Sequence, residues 1–264
     1  MLKKIISGLL GAVMVFAVSG HAFAALFDDG SLVQTAYTAN DKEVGIDLGI
    51  DLDTYDFSTA VNDKVATNAL NLSQFTTGKT WSDVQLAFWG VTSDDSYGFM
   101  ATTQSSAPTI STVAYGSFIS ADTLTRSTYS LKNSNPAVIS YSHNNGYIWN
   151  FTSKGVIPGS YATMNDDWQD GEKNLSDLSS VGYVDMYLYK FQDGSMDFVY
   201  DNDGNIVDFI FYDPTIVQGN GHDYTAVLRL YANGDTVVNP VPLPAAVVLF
   251  GSALLGIIGV RRKN

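Results

Sequence analysis

The segment DNDGN, Asp201 to Asn205, sets Asp201, Asp203 and Asn205 at alternate positions. Oxygen ligands at that spacing suit a hard cation such as Ca²⁺, the one cofactor the chain suggests. The EF-hand pattern fails, because Ile206 stands where its glycine belongs and Tyr212 where its glutamate belongs. The competing reading is a plain turn joining two strands, since Asp, Asn and Gly are the residues such turns use.

A second candidate is VGYVDMYLYKF, Val181 to Phe191. Val184, Met186 and Leu188 fall on one face of a strand, while Tyr183, Asp185, Tyr187 and Tyr189 fall on the other. Three tyrosines beside a carboxylate could stack on sugar rings and hydrogen-bond to their hydroxyls. The alternative is that both faces are covered and the phenolic groups reach the rim. Trp81, Trp89, Trp149 and Trp168 divide the same way, mostly core with room for one platform.

Signals for catalysis are thin. The chain has no cysteine, no GxSxG and no HExxH, and its three histidines are His21, His143 and His222. His143, in SHNNGY, and His222, in GNGHDY, sit in turn-like contexts. A glycoside hydrolase would need two carboxylates facing a cleft, and 27 acidic residues offer no way of choosing a pair.

The elements that must position these residues read as strands. Val44 to Leu52 alternates apolar side chains with Gly and Asp. Val84 to Val91, Tyr97 to Thr102, the two halves of Met196 to Asp213, Tyr224 to Tyr231 and Thr236 to Val238 repeat the design between turn clusters. Ser58 to Leu72 has room for a short helix. The Ser/Thr-rich stretch Thr102 to Ser120 reads as a loop or weakly structured insert. Short strands separated by turns predict an all-β domain, a β-sandwich or jelly roll, over 25–238.

Composition agrees. Of the 27 acidic residues only Glu43 and Glu172 are glutamate, and aspartate favours turns where glutamate favours helices. Residues 25–240 carry nine basic against all 27 acidic residues, a formal charge of −18. Nucleic acid and anionic membrane surfaces are excluded as partners of such a domain, because binding them relies on Lys and Arg. With no disulfide available, burial alone must hold it together.

Both ends read as addresses. Lys3 and Lys4, an apolar run and Ala22-Phe23-Ala24 form a secretory signal over 1–24, cut after Ala24 by signal peptidase. At the other end, 239–264, Ala245 to Val260 is uncharged. As a helix it would rise about 24 Å, a little short of a hydrocarbon core of about 30 Å. Arg261, Arg262 and Lys263 follow as a basic stop.

Val241-Pro242-Leu243-Pro244-Ala245, then a Gly- and Leu-rich hydrophobic helix, then a basic end, resembles the PEP-CTERM class of bacterial sorting signals. More narrowly it resembles the VPLPA variant, in which Leu243 replaces the glutamate of Pro-Glu-Pro. The resemblance covers only the last 25 or so residues. It implies an exopolysaccharide-producing Gram-negative host, with transient residence in the inner membrane as a single-pass protein. It also implies an exosortase that cuts at the motif and passes the protein to the cell surface or outside. The expected role is therefore a non-enzymatic surface or biofilm-matrix component in contact with exopolysaccharide. A carbohydrate-binding module using Tyr183, Tyr187 and Tyr189, or a secreted glycoside hydrolase, are the alternatives.

Overall fold

A computed structural model of the chain describes residues 26–241, except 39–40, 107–111, 141–145, 148–149, 152–170, 193–195, 201–205, 212–214 and 218–221. The fold is mostly β. Its centre is one antiparallel sheet of eleven strands. Along the main path the order is β3 (Asp63–Ala66), β13 (Thr236–Val238), β12 (Ala226–Tyr231), β8 (Tyr183–Gln192), β5 (Tyr97–Thr102), β4 (Val84–Val91), β1 (Ser31–Thr38), β2 (Lys42–Asp51) and β6 (Ala137–Ser140). β7 (Lys173–Asn174) adds to β4, and β11 (Thr215–Val217) adds to β8. β9 (Met196–Tyr200) and β10 (Ile206–Phe211) form a separate antiparallel pair, as the two halves of 196–213 predict.

The expected pair of stacked sheets is instead one sheet that curls. β5 pairs with β4 along one edge and with β8 along the other, so the two halves stay hydrogen-bonded through it. The curl brings β13 over β1, although four strands lie between them in the sheet. There the Thr236 hydroxyl donates to Gln34 Oε1 at 2.6 Å, with both residues fully buried.

Period-two patterning explains the concave face. Val44, Ile46, Leu48 and Ile50 of β2, and Val184, Met186 and Leu188 of β8, enter one apolar cluster with Leu86, Phe88, Phe99, Leu228 and Leu230. Two features depart from the sequence reading. Ser58 to Leu72 contains strand β3 rather than a helix, and only a single 3₁₀ turn, Leu72–Gln74, follows it. Thr102 to Ser120 is not all loop, for helix α1 spans Thr112–Ser130.

Helix α1 covers the convex face of the sheet. Among its described side chains, Phe118, Ala121, Asp122, Thr125, Arg126 and Tyr129 are buried, a stripe at helical spacing. Four of those six are polar or amphipathic, which hides the stripe from a hydropathy reading. Phe118 and Tyr129 join Trp89, Phe151, Tyr189 and Phe191 in a second, aromatic core. With cores on both faces, β1 is buried at every position.

The aspartates behave as their abundance predicts. Asp47, Asp51, Asp56 and Asp94 each accept the backbone N–H two residues on, at 2.9–3.0 Å, the local bond by which Asp specifies turns.

Candidate functional site

The outer face of β8 and β12 is built by direct cross-strand pairs. Tyr183 lies opposite Tyr231, Asp185 opposite Arg229, and Tyr187 opposite Val227. Arg229 Nε and Nη2 donate to the two oxygens of Asp185 at 2.6 and 2.7 Å. That bidentate pair raises the guanidinium pKa further above its usual range. Its planar group also lies 3.8 Å from the centre of the Tyr183 ring. Tyr183 therefore has one ring face covered by a cation.

Beside this pair is an open groove of about 510 Å³. Tyr187 and Tyr224 line it with centroids 5.1 Å apart, and His222 lies flat on Tyr224 at 4.8 Å and 5°. Asp185, Arg229, Phe57, Asn239 and Pro240 line it as well. Asn239 is held rigidly: its amide donates to Phe57 and Ala60 carbonyls, and its Oδ1 accepts from Val227 N. The groove thus offers aromatic rings and an imidazole beside a guanidinium whose Nε and Nη2 are already engaged by Asp185. Tyr187 and Arg229 stand on strands, and His222 and Tyr224 in the segment leading into β12.

No family model, curated protein or solved structure matches this chain. Its chemistry must be read from the geometry.

The three tyrosines singled out from sequence do not form one platform. Tyr187 lines the groove, and Tyr183 lies beside it under Arg229. Tyr189 is fully buried and donates to the Gln104 carbonyl at 2.9 Å, so it presents no ring to a ligand. Burial pushes its hydroxyl up to about 12. The physical reason is that the odd face of β8 meets solvent at 183–187 and then passes into the aromatic core beneath α1. Trp89 is core as well, and Trp81 packs at the rim of the concave cluster.

Other candidates lie elsewhere. Asp201, Asp203, Asn205, His143, Trp149 and Trp168 fall outside the described residues, as do Ala22, Ala24, Pro242, Leu243, Pro244, Ala245 and the basic stop Arg261 to Lys263. Val241 is the last described residue and is exposed. Among the described residues no helix is long and apolar enough to cross a membrane, and the predicted span 245–260 lies beyond them. No group of three metal-ligating side chains occurs among the described residues.

The chain also buries a polar network that sequence reasoning missed. Glu43 on β2 and Glu172, just before β7, are both buried. Tyr129 Oη and Tyr147 N donate to Glu43 Oε1 at 2.5 and 2.6 Å. Tyr37 Oη donates to Glu172 Oε2. Trp89 Nε1 donates to Thr35 Oγ1 at 3.0 Å, and that hydroxyl meets Tyr129 Oη at 3.1 Å. The available signal was rarity: the only two glutamates in the chain converge on one aromatic core.

Proposed function

We propose that this chain is an exported, non-enzymatic cell-surface or extracellular-matrix protein whose β domain contacts polysaccharide through the Tyr187–Tyr224–His222 groove. The curled sheet serves as a distorted sandwich, with the groove on its outer face. The observation that carries the reading is the groove itself: aromatic faces beside a bidentate Asp185–Arg229 pair, the combination that stacks on sugar rings while exchanging hydrogen bonds with hydroxyls. Within it, both Asp185 oxygens are committed to Arg229, which favours holding a glycan over cleaving one. The formal charge of −18 over residues 25–240 disfavours acidic sugars, so a neutral polysaccharide is the ligand class.

Export and sorting rest on the two ends: the Lys3-Lys4, apolar, Ala22-x-Ala24 order and the VPLPA-type segment with its basic stop. Signal peptidase and an exosortase are the implied processing partners, with inner-membrane residence in transit.

Two measurements test this. Affinity electrophoresis in neutral and acidic polysaccharides should show retardation in the neutral set, reduced with Tyr187→Ala or Tyr224→Ala. Equal mobility of wild type and variants in every gel would end the glycan reading. Intact mass of the mature protein from its host should show a chain that begins after Ala24 and ends before Asn264. A terminus still at Asn264 would remove the sorting reading and leave an anchored protein.

A further inference from the structure

We infer that the Tyr183–Tyr231 pair is a second aromatic station for the same neutral polysaccharide, continuing the groove along β8 and β12 past Asp185–Arg229. The protein then holds a linear run of several sugars laid along two strands, not a single unit or a chain end. This rests on the glycan reading of the groove and adds to it the length and direction of the ligand.

Strand register puts the whole track on one face. Tyr183–Tyr231, Asp185–Arg229 and Tyr187–Val227 are successive cross-strand pairs of the same parity, and side chains two apart on a strand share a face. All six residues are partly exposed. The residues between them, Val184, Met186, Leu228 and Leu230, are buried in the concave cluster. Tyr183 and Tyr187 are four residues apart, about 13 Å along a strand, more than a single sugar ring covers.

The two stations are alike and share one guanidinium. The Tyr183 and Tyr231 rings are tilted by 56° with centroids 6.3 Å apart, and those of Tyr187 and Tyr224 by 57° at 5.1 Å. Along the strands, one tilted tyrosine pair therefore stands on each side of the Asp185–Arg229 ion pair. Arg229 lines the groove, and its planar group also lies 3.8 Å from the centre of the Tyr183 ring and 5.9 Å from that of Tyr231.

The ion pair supplies the polar contact between the rings. A carboxylate offers about four acceptor positions, and Arg229 takes one on each Asp185 oxygen. A sugar crossing the pair can donate a hydroxyl to Asp185 while its neighbours in the chain lie against tyrosine rings. The stations are fixed before any ligand arrives, which lowers the ordering cost of binding. The ladder of β8 and β12 holds Tyr183, Tyr187 and Tyr231. Tyr224 precedes β12, but its neighbour Thr225 is tied to β8: its N donates to the Leu188 carbonyl at 2.6 Å, and its Oγ1 accepts from Lys190 N at 3.1 Å.

Calorimetric titration of the full-length protein with sized oligosaccharides tests this, using fragments two to six units long from starch, laminarin and galactomannan. For a fragment series that binds, affinity should rise about tenfold or more from the disaccharide to the hexasaccharide, the worth of a second tyrosine pair. Tyr231→Ala should weaken the hexasaccharide about 3- to 10-fold and leave the disaccharide unchanged, whereas Tyr187→Ala should weaken both. If Tyr231→Ala does not fold, Tyr183→Ala carries the same expectation. Equal affinity at every length, or a Tyr231→Ala effect that is absent or the same for all lengths, would remove the second station. Continued weakening by Tyr187→Ala in that case would leave the groove reading standing. Failure of all three polysaccharides and their fragments to bind would end both.

Discussion

Arg126 and Asp122, one turn apart on α1, form a bidentate ion pair whose side chains are only 2% and 5% exposed. The remaining Arg126 donors reach back to the Asp28 carbonyl and to Ser31, so the pair pins α1 to the entry of β1. The guanidinium also lies 5.2 Å from the Trp89 ring. Burial pushes the Asp122 carboxyl up, against the pull of Arg126.

Breaking that pair from one side strands a buried charge. Arg126→Ala should lower unfolding free energy by about 3–5 kcal/mol, seen as a reduced urea midpoint. Lys173→Ala, which breaks the exposed Lys173–Asp177 pair, should cost under about 1 kcal/mol. Equal effects would mean that Arg126 does not fasten the helix.

The Gln34–Thr236 bond across the curl makes an asymmetric prediction. Thr236→Val removes the donor from a buried amide whose Nε2 has no partner among the described residues. It should cost about 1–3 kcal/mol. Adding Gln34→Leu removes the stranded amide and should recover most of the loss, which a double-mutant denaturation cycle would read.

Gly45 and Tyr129 are in such close contact that a Cβ at Gly45 would lie only 2.3–2.7 Å from three carbons of the Tyr129 ring. Gly45→Ala must displace that ring and with it the Tyr129–Glu43 hydrogen bond. Near-ultraviolet circular dichroism should lose aromatic signal, and stability should fall by about 1–3 kcal/mol. Gly49→Ala places its Cβ in open space but at φ +65. It should cost only about 1 kcal/mol, through backbone strain, and spare that signal.

Stability should peak in mildly acidic solution. Ser96 and Thr92 hydrogen bonds hold the Asp94 carboxyl down at about 2. Asp235 is likewise lowered, the Lys64, Asn68 and Asn233 hydrogen bonds outweighing its burial. Carboxyls lowered by folding contribute above their unfolded pKa and are lost as pH falls through the folded value. Glu172, raised by burial, acts in the opposite sense, losing its contribution between the ordinary carboxyl range and about 8. Thermal scans across pH should therefore fall on both sides, and Glu172→Gln should flatten the alkaline side alone.

In the groove, Tyr187→Ala and Tyr224→Ala should each weaken glycan binding about 3- to 10-fold, the worth of one stacked ring. Tyr189→Phe, altering a ring beneath α1, should leave it unchanged. Glycan affinity electrophoresis separates these outcomes.

Much of the β architecture was legible in the chain because strands with one buried face alternate with period two. Val44 to Leu52 and Val181 to Phe191 show their core faces without a structure, and the aspartates announce the turns they close. β1 and α1 were not legible. SLVQTAYT is buried on both sides and so has no alternation to read, and the buried stripe of α1 is largely polar because its partners are hydrogen-bonding groups.

What the sequence determined by itself is local: strand periodicity, turn chemistry, the acidity of residues 25–240, and the two ends that resemble export and sorting signals. Tertiary structure decided which tyrosines line a groove and which are core, that one sheet curls where two were expected, and that the chain's only two glutamates are buried against one aromatic core. Those outcomes depend on contacts between residues 86 to 202 positions apart, and no local pattern encodes which distant partner will occupy a given face.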